Sequence, residues 1–437
     1  MNVRCPTNAM LPPEFQFATG LGQTNKINLD KRRPLDTLWL RVRFKLTSIQ
    51  ADTKWHADGI LNLLKRITLT TYETGSPVTV RDGSAADFIK FFVQSGGSLD
   101  RYTQDCMLGT GHFTGGVNAY GVQPVSIKSG VEYQFMVPIC LAHPQLEDPL
   151  RLVCSLPLHR HAQNPTLEIQ TGSTTDIAYA GTDPAITLAK VDGTNYINVE
   201  VFTVERAMNA ALDSLIQTKY GGFLTSKMWS RDDVITAKQT DWYIPIPAGG
   251  YYACAMLQHV ANSLPVSVVD STNPIQTIRD GDTIYKKYTD PMIIALNDTS
   301  RFGILGLAPG LNSLTDNSTG TASDTLLPGT TPTIAEYRNM AASLASKING
   351  LIFRASNGAN NFQGLAYLDW LSDFVGPDSS GDLGSLLDTY NIIAPSVSQP
   401  DMRIYLNTAT VVGTTKVRTT FFRFEGANVA AWQPVKV

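Results

Sequence analysis

Charge is scarce in this chain: Asp, Glu, Lys and Arg make up 17% of its 437 residues. That is little for a protein whose whole surface faces water, and it implies flanks covered by neighbouring molecules. Neither sign dominates, and a net charge of -3 argues against direct nucleic-acid binding, which needs a marked basic surplus. The five cysteines, Cys5, Cys106, Cys140, Cys154 and Cys254, form no CxxC pair and no even framework. They read as buried thiols of a reducing compartment. No run reaches the about eighteen apolar residues of a membrane span, and Arg4 is followed by no apolar signal region. Without secretion, the glycosylation patterns at Asn297 and Asn317 carry no weight. Catalytic signatures are missing as well: there is no HExxH, GxSxG, P-loop or EF-hand pattern. The stretch from Gly109 to Gly115 misses GxGxxG by one position, outside any βαβ context. The expectation is a chain that is not an enzyme and takes no cofactor or metal.

What is present is strand signal. Leu38, Leu40, Val42, Phe44 and Leu46 alternate with Trp39, Arg41, Arg43 and Lys45, a period of two that predicts a half-buried strand. Tyr133 to Leu141 alternates in the same way, and Pro138 inside it predicts an edge or bulged position. Further strands are predicted at 61–71, 150–158, 166–170 and 197–201, then at 241–247, 251–260, 351–355, 364–371, 402–406 and 416–424. Apolar runs at 292–296 and 302–307 belong to the same pattern. Helices are few. Ser84 and Asp87 resemble a capping box ahead of Phe88, Phe91 and Phe92. Residues 205–219 predict a helix with Met208, Leu212, Leu215 and Ile216 on one face, stopped by Gly221-Gly222. A third helix is predicted from Thr333, capped with Glu336 and ended by Gly350. Residues 171–194 and 311–332 read as long loops, and 1–35 as an irregular basic arm. Short strands with turn signals throughout favour a β-sandwich or jelly roll over alternating α/β.

The sequence also echoes itself. Thr79-Val80-Arg81-Asp82-Gly83 returns as Thr277-Ile278-Arg279-Asp280-Gly281, a match expected by chance on the order of once in several chains of this size. The echo suggests two copies of one unit. Each copy is predicted to be a strand-to-turn corner, with Gly permitting a left-handed turn and Asp bonding the local backbone. The organisation read from these signals is an arm over 1–35, a first β unit over 36–205, a joint over 206–232 and a second β unit over 233–437.

Three constellations are candidate sites. His159-Arg160-His161 on a strand end would place two imidazoles on one face, as a cupin-like metal site requires. The acid and the third histidine of such a site are missing, so a polar strand end is the better reading. Asp369, Asp373, Asp378 and Asp382 gather around a Gly-Pro turn, where a carbohydrate-binding or carbohydrate-active β-sandwich protein would keep paired acids or calcium ligands. The basic arm, Arg4 with Lys31, Arg32 and Arg33, suits an anionic surface or a neighbouring subunit.

Taken together, Leu38 to Leu46 leading to Leu61–Leu69 and Val80–Gly83, Phe135–Ile139 followed by Ser155–Pro157 and Leu167–Ile169, and Leu365–Asp369 before the closing strands resemble a known family. It is that of the double jelly-roll major capsid proteins of tailless, membrane-containing icosahedral phages of the tectivirus, corticovirus and autolykivirus type, related in fold to adenovirus hexon. The resemblance covers the layout of nearly the whole chain. It implies an all-β fold of two tandem eight-stranded jelly rolls, with short helices at the joint and in loops. It further implies a homotrimer forming a pseudo-hexagonal capsomer, contacts with neighbouring capsomers and with penton and minor capsid proteins, and a place in the virion shell after assembly in the host cytoplasm. By the same resemblance the basic arm lies near an internal viral membrane, and the two long loops are candidates for the exposed crown.

Overall fold

The computed structural model describes residues 2–4, 14–49, 53–103, 106, 127–179 and 184–261 with short interruptions, and beyond them strands within 264–288, 365–369, 403–408 and 415–425. The first half contributes β1 (Asn2–Arg4), β2 (Glu14–Phe17), β3 (Thr24–Asn28), β4 (Leu35–Ile49), β5 (Lys54–Trp55), β6 (Leu64–Thr71), β7 (Val78–Gly83), β8 (Glu132–Cys140), β9 (Thr166–Thr171), β10 (Ala178–Tyr179), β11 (Ile186–Ala189) and β12 (Ile197–Glu205). Between them lie helices α1 (Ala85–Gln94), α2 (Leu150–Val153) and α3 (Thr174–Ile177). After the joint helix α4 (Ala210–Tyr220) come β13 (Thr225–Ile235), β14 (Gln239–Pro245), β15 (Tyr251–Ala261), β16 (Leu264–Val266), β17 (Ile275–Arg279), β18 (Thr283–Tyr288), β19 (Leu365–Asp369), β20 (Arg403–Thr408) and β21 (Thr415–Glu425).

These strands build two jelly rolls in tandem. In the first, a six-stranded sheet centred on β4 and β12 packs against β3-β9-β6-β7. In the second, β13-β21-β15, edged by β16 and β19, is accompanied by the four-stranded sheet β14-β20-β17-β18. The rolls share a sheet. Strand β7 of the first pairs in parallel with β13 of the second, Met228 opposite Arg81 and Trp229 opposite Asp82, so one nine-stranded sheet runs through both.

The period-two signal explains the central strand. Leu38, Leu40, Val42, Phe44 and Leu46 of β4 are fully buried, and burying such a side chain contributes roughly 1.5–3 kcal/mol. On the other face Arg41 bonds Gln134 and Glu200, and Arg43 bonds Glu132 and Glu200. The outer face is thus a ladder of cross-strand charge pairs. Strand β8 sits at the sheet edge beside β4, with Pro138 opposite Trp39, as the missing N–H of proline requires. The helix signal also holds: Ser84 Oγ accepts from the Asp87 N–H, and Asp87 returns a bond to the Ser84 N–H, closing a capping box.

Several expectations need correction. The described residues of 1–35 are not an irregular arm, because β2 pairs with β12 and β3 with β9, and β1 adds to the far end of β12. These strands have three to five residues, too short to display a period. Residues 150–158 form α2, a bridge from Leu156 to Leu35 and a 3-10 turn over Leu158–Arg160, not a strand. The supposed loop 171–194 contains α3, β10 and β11, with Ile177, Ala178, Ala185 and Ile186 buried. In α4 Ile216 is buried, but Leu215 is 54% exposed, so the apolar face is narrower than its spacing suggests. The runs at 292–296 and 302–307, the loop 311–332, the helix from Thr333 and the strand 351–355 lie outside the described residues.

Replacing Ser84 by Ala is expected to cost about 1 kcal/mol through the lost cap. Leu40→Ala is expected to cost about 2–5 kcal/mol through the cavity it leaves. Urea unfolding midpoints measure both.

Candidate functional site at the seam between the halves

The first copy of the repeated pentapeptide lies in the seam where the two rolls meet. Arg81, carried by β7, is completely buried. Its Nε and Nη2 both donate to the Cys140 carbonyl, at 2.9 and 2.7 Å, and Nη2 also reaches the carbonyl of Leu141. Nη1 donates to the carbonyls of Val80 and Ser226, at 2.7 and 2.6 Å, and Nη2 to Ser226 Oγ. The guanidinium therefore ties the end of β8 in the first roll to β13 in the second. Its Cζ stands 5.2 Å from the ring centre of Phe422 on β21, a cation–π contact in a dry setting. Among the described residues no carboxylate touches it. Burial lowers its pKa to about 9, which still leaves the charge in place at neutral pH.

Helix α1 carries the second group of bonds across the seam. Asp87, on its first turn, receives Nε and Nη2 of Arg418 from β21 at 2.8 and 2.6 Å. Burial acts to raise the Asp87 pKa, but the Arg418 charge, its hydrogen bonds and the Ser84 N–H outweigh it and hold the carboxyl well below the usual range. Lys90, one turn on, bonds Asp58 and the amide oxygen of Gln258 on β15. Phe91 stacks on Phe422 with centroids 4.8 Å apart, and His143 meets both rings edge-on. Tyr367 of β19 reaches Ser95 and His143. Above this cluster opens a cleft of about 300 Å³ between His56, Asn62, Asp176, Asp232, Lys416 and Arg418. Its acids are paired: Asp176 with Lys65, Asp232 with Lys416 and Arg418.

This arrangement suits holding surfaces together better than reacting with a substrate. The Cys140 thiol beside Arg81 is pushed up to about 12 by burial, which leaves it protonated and unreactive. Among the described residues no three metal-ligating side chains converge.

The other predicted residues are placed as follows. The first copy is not the expected left-handed corner: Asp82 lies in β7 and forms a bidentate pair with Arg66 at 2.7 and 2.8 Å instead of bonding the local backbone, and Gly83 ends β7 without a positive φ, just before the α1 cap. In the second copy, Arg279 ends β17 in the four-stranded sheet, while Asp280 and Gly281 lie outside the described residues. Of the basic arm, Arg4 lies in β1 opposite Thr203. Lys31 donates to the carbonyls of His161 and Ala162. Arg32 is exposed, 3.7 Å from Asp30, and Arg33 is half-exposed beside it. His159 and Arg160 sit in a 3-10 turn and both bind Asp213 of α4, so His159 serves the joint helix and the two histidines share no partner. Asp369 lies in β19, and Asp373, Asp378 and Asp382 lie outside the described residues. Sequence reasoning missed Asp87, Lys90 and Arg418 as a group; the capping box pointed to Asp87 only as a helix start.

No family model and no curated protein matches the sequence. Solved structures do match. A chain of the Sulfolobus turreted icosahedral virus structure is 12% identical with a TM-score of 0.55, covering 97% of this chain and 94% of that one. The crystal structure of the major capsid protein of that virus, 11% identical, gives a TM-score of 0.54 and covers 97% of both chains. The likeness is one of fold: the chain is a double jelly roll of the kind seen in viral major capsid proteins.

Two predictions follow from the seam and its surroundings. Arg81→Met is expected to destabilise by about 3–5 kcal/mol, because it strands buried carbonyls on both rolls; urea denaturation measures the loss. The second concerns pH. His161 is buried, and burial, with the charges of His159 and Lys31, lowers its pKa from an ordinary 6.5 to about 4. The unfolded chain therefore binds more protons between about pH 6.5 and 4, and stability falls as pH drops through that window. Asp87 and Asp36 hold depressed pKa values in the folded state, so their contribution is lost only at still lower pH, below the ordinary carboxylate value near 4. His161→Leu is expected to flatten the upper part of this profile and leave the lower part unchanged.

Proposed function

We propose that this chain is a viral major capsid protein, a structural building block with no catalytic role. The observation that carries the proposal is the double jelly roll spanning nearly the whole chain, matched over 97% of its length by the capsid protein of an icosahedral virus. The low charge content supports it, since lateral contacts between copies favour flanks with few charges to desolvate. The seam supports it too, because a shell block must keep its two rolls in fixed relation.

On this reading three chains associate as a homotrimer. Two similar rolls per chain give six around the axis, approximating a hexagonal outline that tiles an icosahedral shell. Residues 36–205 and 233–437 would supply the two rolls and 206–232 their joint. Neighbouring capsomers, penton proteins and minor capsid proteins are the partners, and direct nucleic-acid contact plays no part. The exposed Arg32 and half-exposed Arg33, with Arg4, would face an internal membrane, where each basic residue contributes about 1 kcal/mol near anionic headgroups. Assembly would take place in the host cytoplasm and the mature protein would reside in the virion.

Light scattering on the purified chain is expected to give three times the 47.6 kDa chain mass, and negative-stain images are expected to show stubby hexagonal outlines. A stable monomer at every accessible concentration would overturn the reading.

A further inference from the structure

Lysine is seldom buried, yet Lys90 of α1 is only 1% exposed, and its ammonium meets two side chains from other elements. One is the carboxylate of Asp58, which stands just before a 3-10 turn over Gly59–Leu63 whose apolar residues are buried. The other is the side-chain amide of Gln258 on β15, whose Oε1 accepts from Nζ at 2.8 Å. Gln258 is fixed from both sides, registered against Arg418 of β21 and Leu365 of β19.

The amide is only half satisfied. Gln258 is 4% exposed, and among the described residues its Nε2 has no hydrogen-bond partner, although buried polar groups are nearly always paired. The three side chains thus bring together an amine, a carboxylate on its nitrogen and a neutral amide carbonyl, with the amine and the amide shielded from water. A lysine attacks only after losing a proton, which an adjacent base can take. Holding the reacting groups in contact removes much of the entropic part of the barrier. An ionised carboxylate is a poor electrophile, so Asp58 suits the base and Gln258 the acceptor.

We propose that Lys90 and Gln258 join in an intramolecular isopeptide bond, with Asp58 as the general acid–base. Asp58 takes one proton from the Nζ ammonium, and the freed lone pair adds to Cδ of Gln258 while the carbonyl π pair moves onto Oε1. Asp58 then hands its proton to Nε2 and takes the second one from Nζ. The Cδ–Nε2 bond breaks with its electron pair on the departing ammonia, the carbonyl re-forms, and the proton left on Asp58 goes with the ammonia as ammonium. One amide replaces another, so no oxidant or cofactor is needed. Asp58 and Gln258 both border the cleft of about 300 Å³, which gives the ammonia space to leave. The product has shed the unsatisfied Nε2, and it ties α1 of the first roll covalently to β15 of the second, across 168 residues of sequence.

Mass spectrometry of the purified full-length chain tests this. The folded wild type is expected to weigh less than its sequence by one ammonia. Its tryptic digest is expected to contain residues 82–101 linked to residues 239–279, because an acylated Lys90 is not cleaved. Lys90→Met and Gln258→Met are expected to keep the full mass. Asp58→Asn, which preserves size, is expected to carry at least about tenfold less of the linked peptide. Near-UV circular dichroism checks that the variants fold, and the wild-type measurement decides without them. A folded wild type that keeps its full mass after prolonged incubation overturns the proposal. So does loss of one water with residues 55–65 linked to 82–101, which makes Asp58 the acceptor, or as much linked peptide in Asp58→Asn as in wild type. None of these outcomes depends on whether the chain builds a shell.

Discussion

The two rolls depend on a cation that, among the described residues, has no carboxylate partner. Arg81 sits in a dry seam, and its charge is balanced by carbonyl dipoles from the end of β8, from β7 itself and from β13, with the Phe422 ring beside it. A buried carboxylate partner would carry its own desolvation cost. Carbonyls at strand ends are already obligate acceptors with lone pairs to spare, so the guanidinium spreads its five donors over groups that the fold buries anyway. Lysine could not do this, since its compact ammonium lacks the planar fork that reaches two strands and a strand end at once.

The seam needs such a residue because the direct strand pairing there is thin. Met228 opposite Arg81 and Trp229 opposite Asp82 are its registered pairs, whereas β13 and β21 register over eleven. A short parallel contact is weak holding for two rolls of this size, and parallel pairing is slightly the less stable kind. The Asp87–Arg418 bidentate pair, the Phe91–Phe422 stack and the Lys90–Gln258 bond add a second row from α1 to β21 and β15. Each ties the first-half helix to a strand more than 160 residues away in sequence. The helix therefore acts as the bolt beside the shared sheet.

What was legible in the sequence was whatever a single element encodes alone. The alternation in β4, the edge proline of β8 and the capping box of α1 follow from period, ring chemistry and cap geometry, and the structure reproduces all three. Strands β1, β2 and β3 were not legible because a strand of three to five residues has no measurable period and forms only when β12 and β9 supply its partners. The 171–194 segment was misread for a related reason. Its Thr, Ala and Gly content resembles a loop, yet β11 gains its hydrogen bonds from β4, about 140 residues earlier.

The repeated pentapeptide shows where local reading stops. Arg-Asp-Gly in either copy looks like a solvated turn, but Asp82 is a strand residue of β7, opposite Thr68 and Trp229, with its carboxylate on Arg66 near the surface. The neighbouring Arg81 has the opposite fate, because Cys140, Leu141 and Ser226 converge on it from 59 to 145 residues away. Arg279, in the same five-residue context, stands instead in the four-stranded sheet at the end of β17. Nearly identical local sequence thus lies in the shared nine-stranded sheet in one copy and in the four-stranded sheet in the other. The information that makes Arg81 the joining residue resides in the strand ends that surround it.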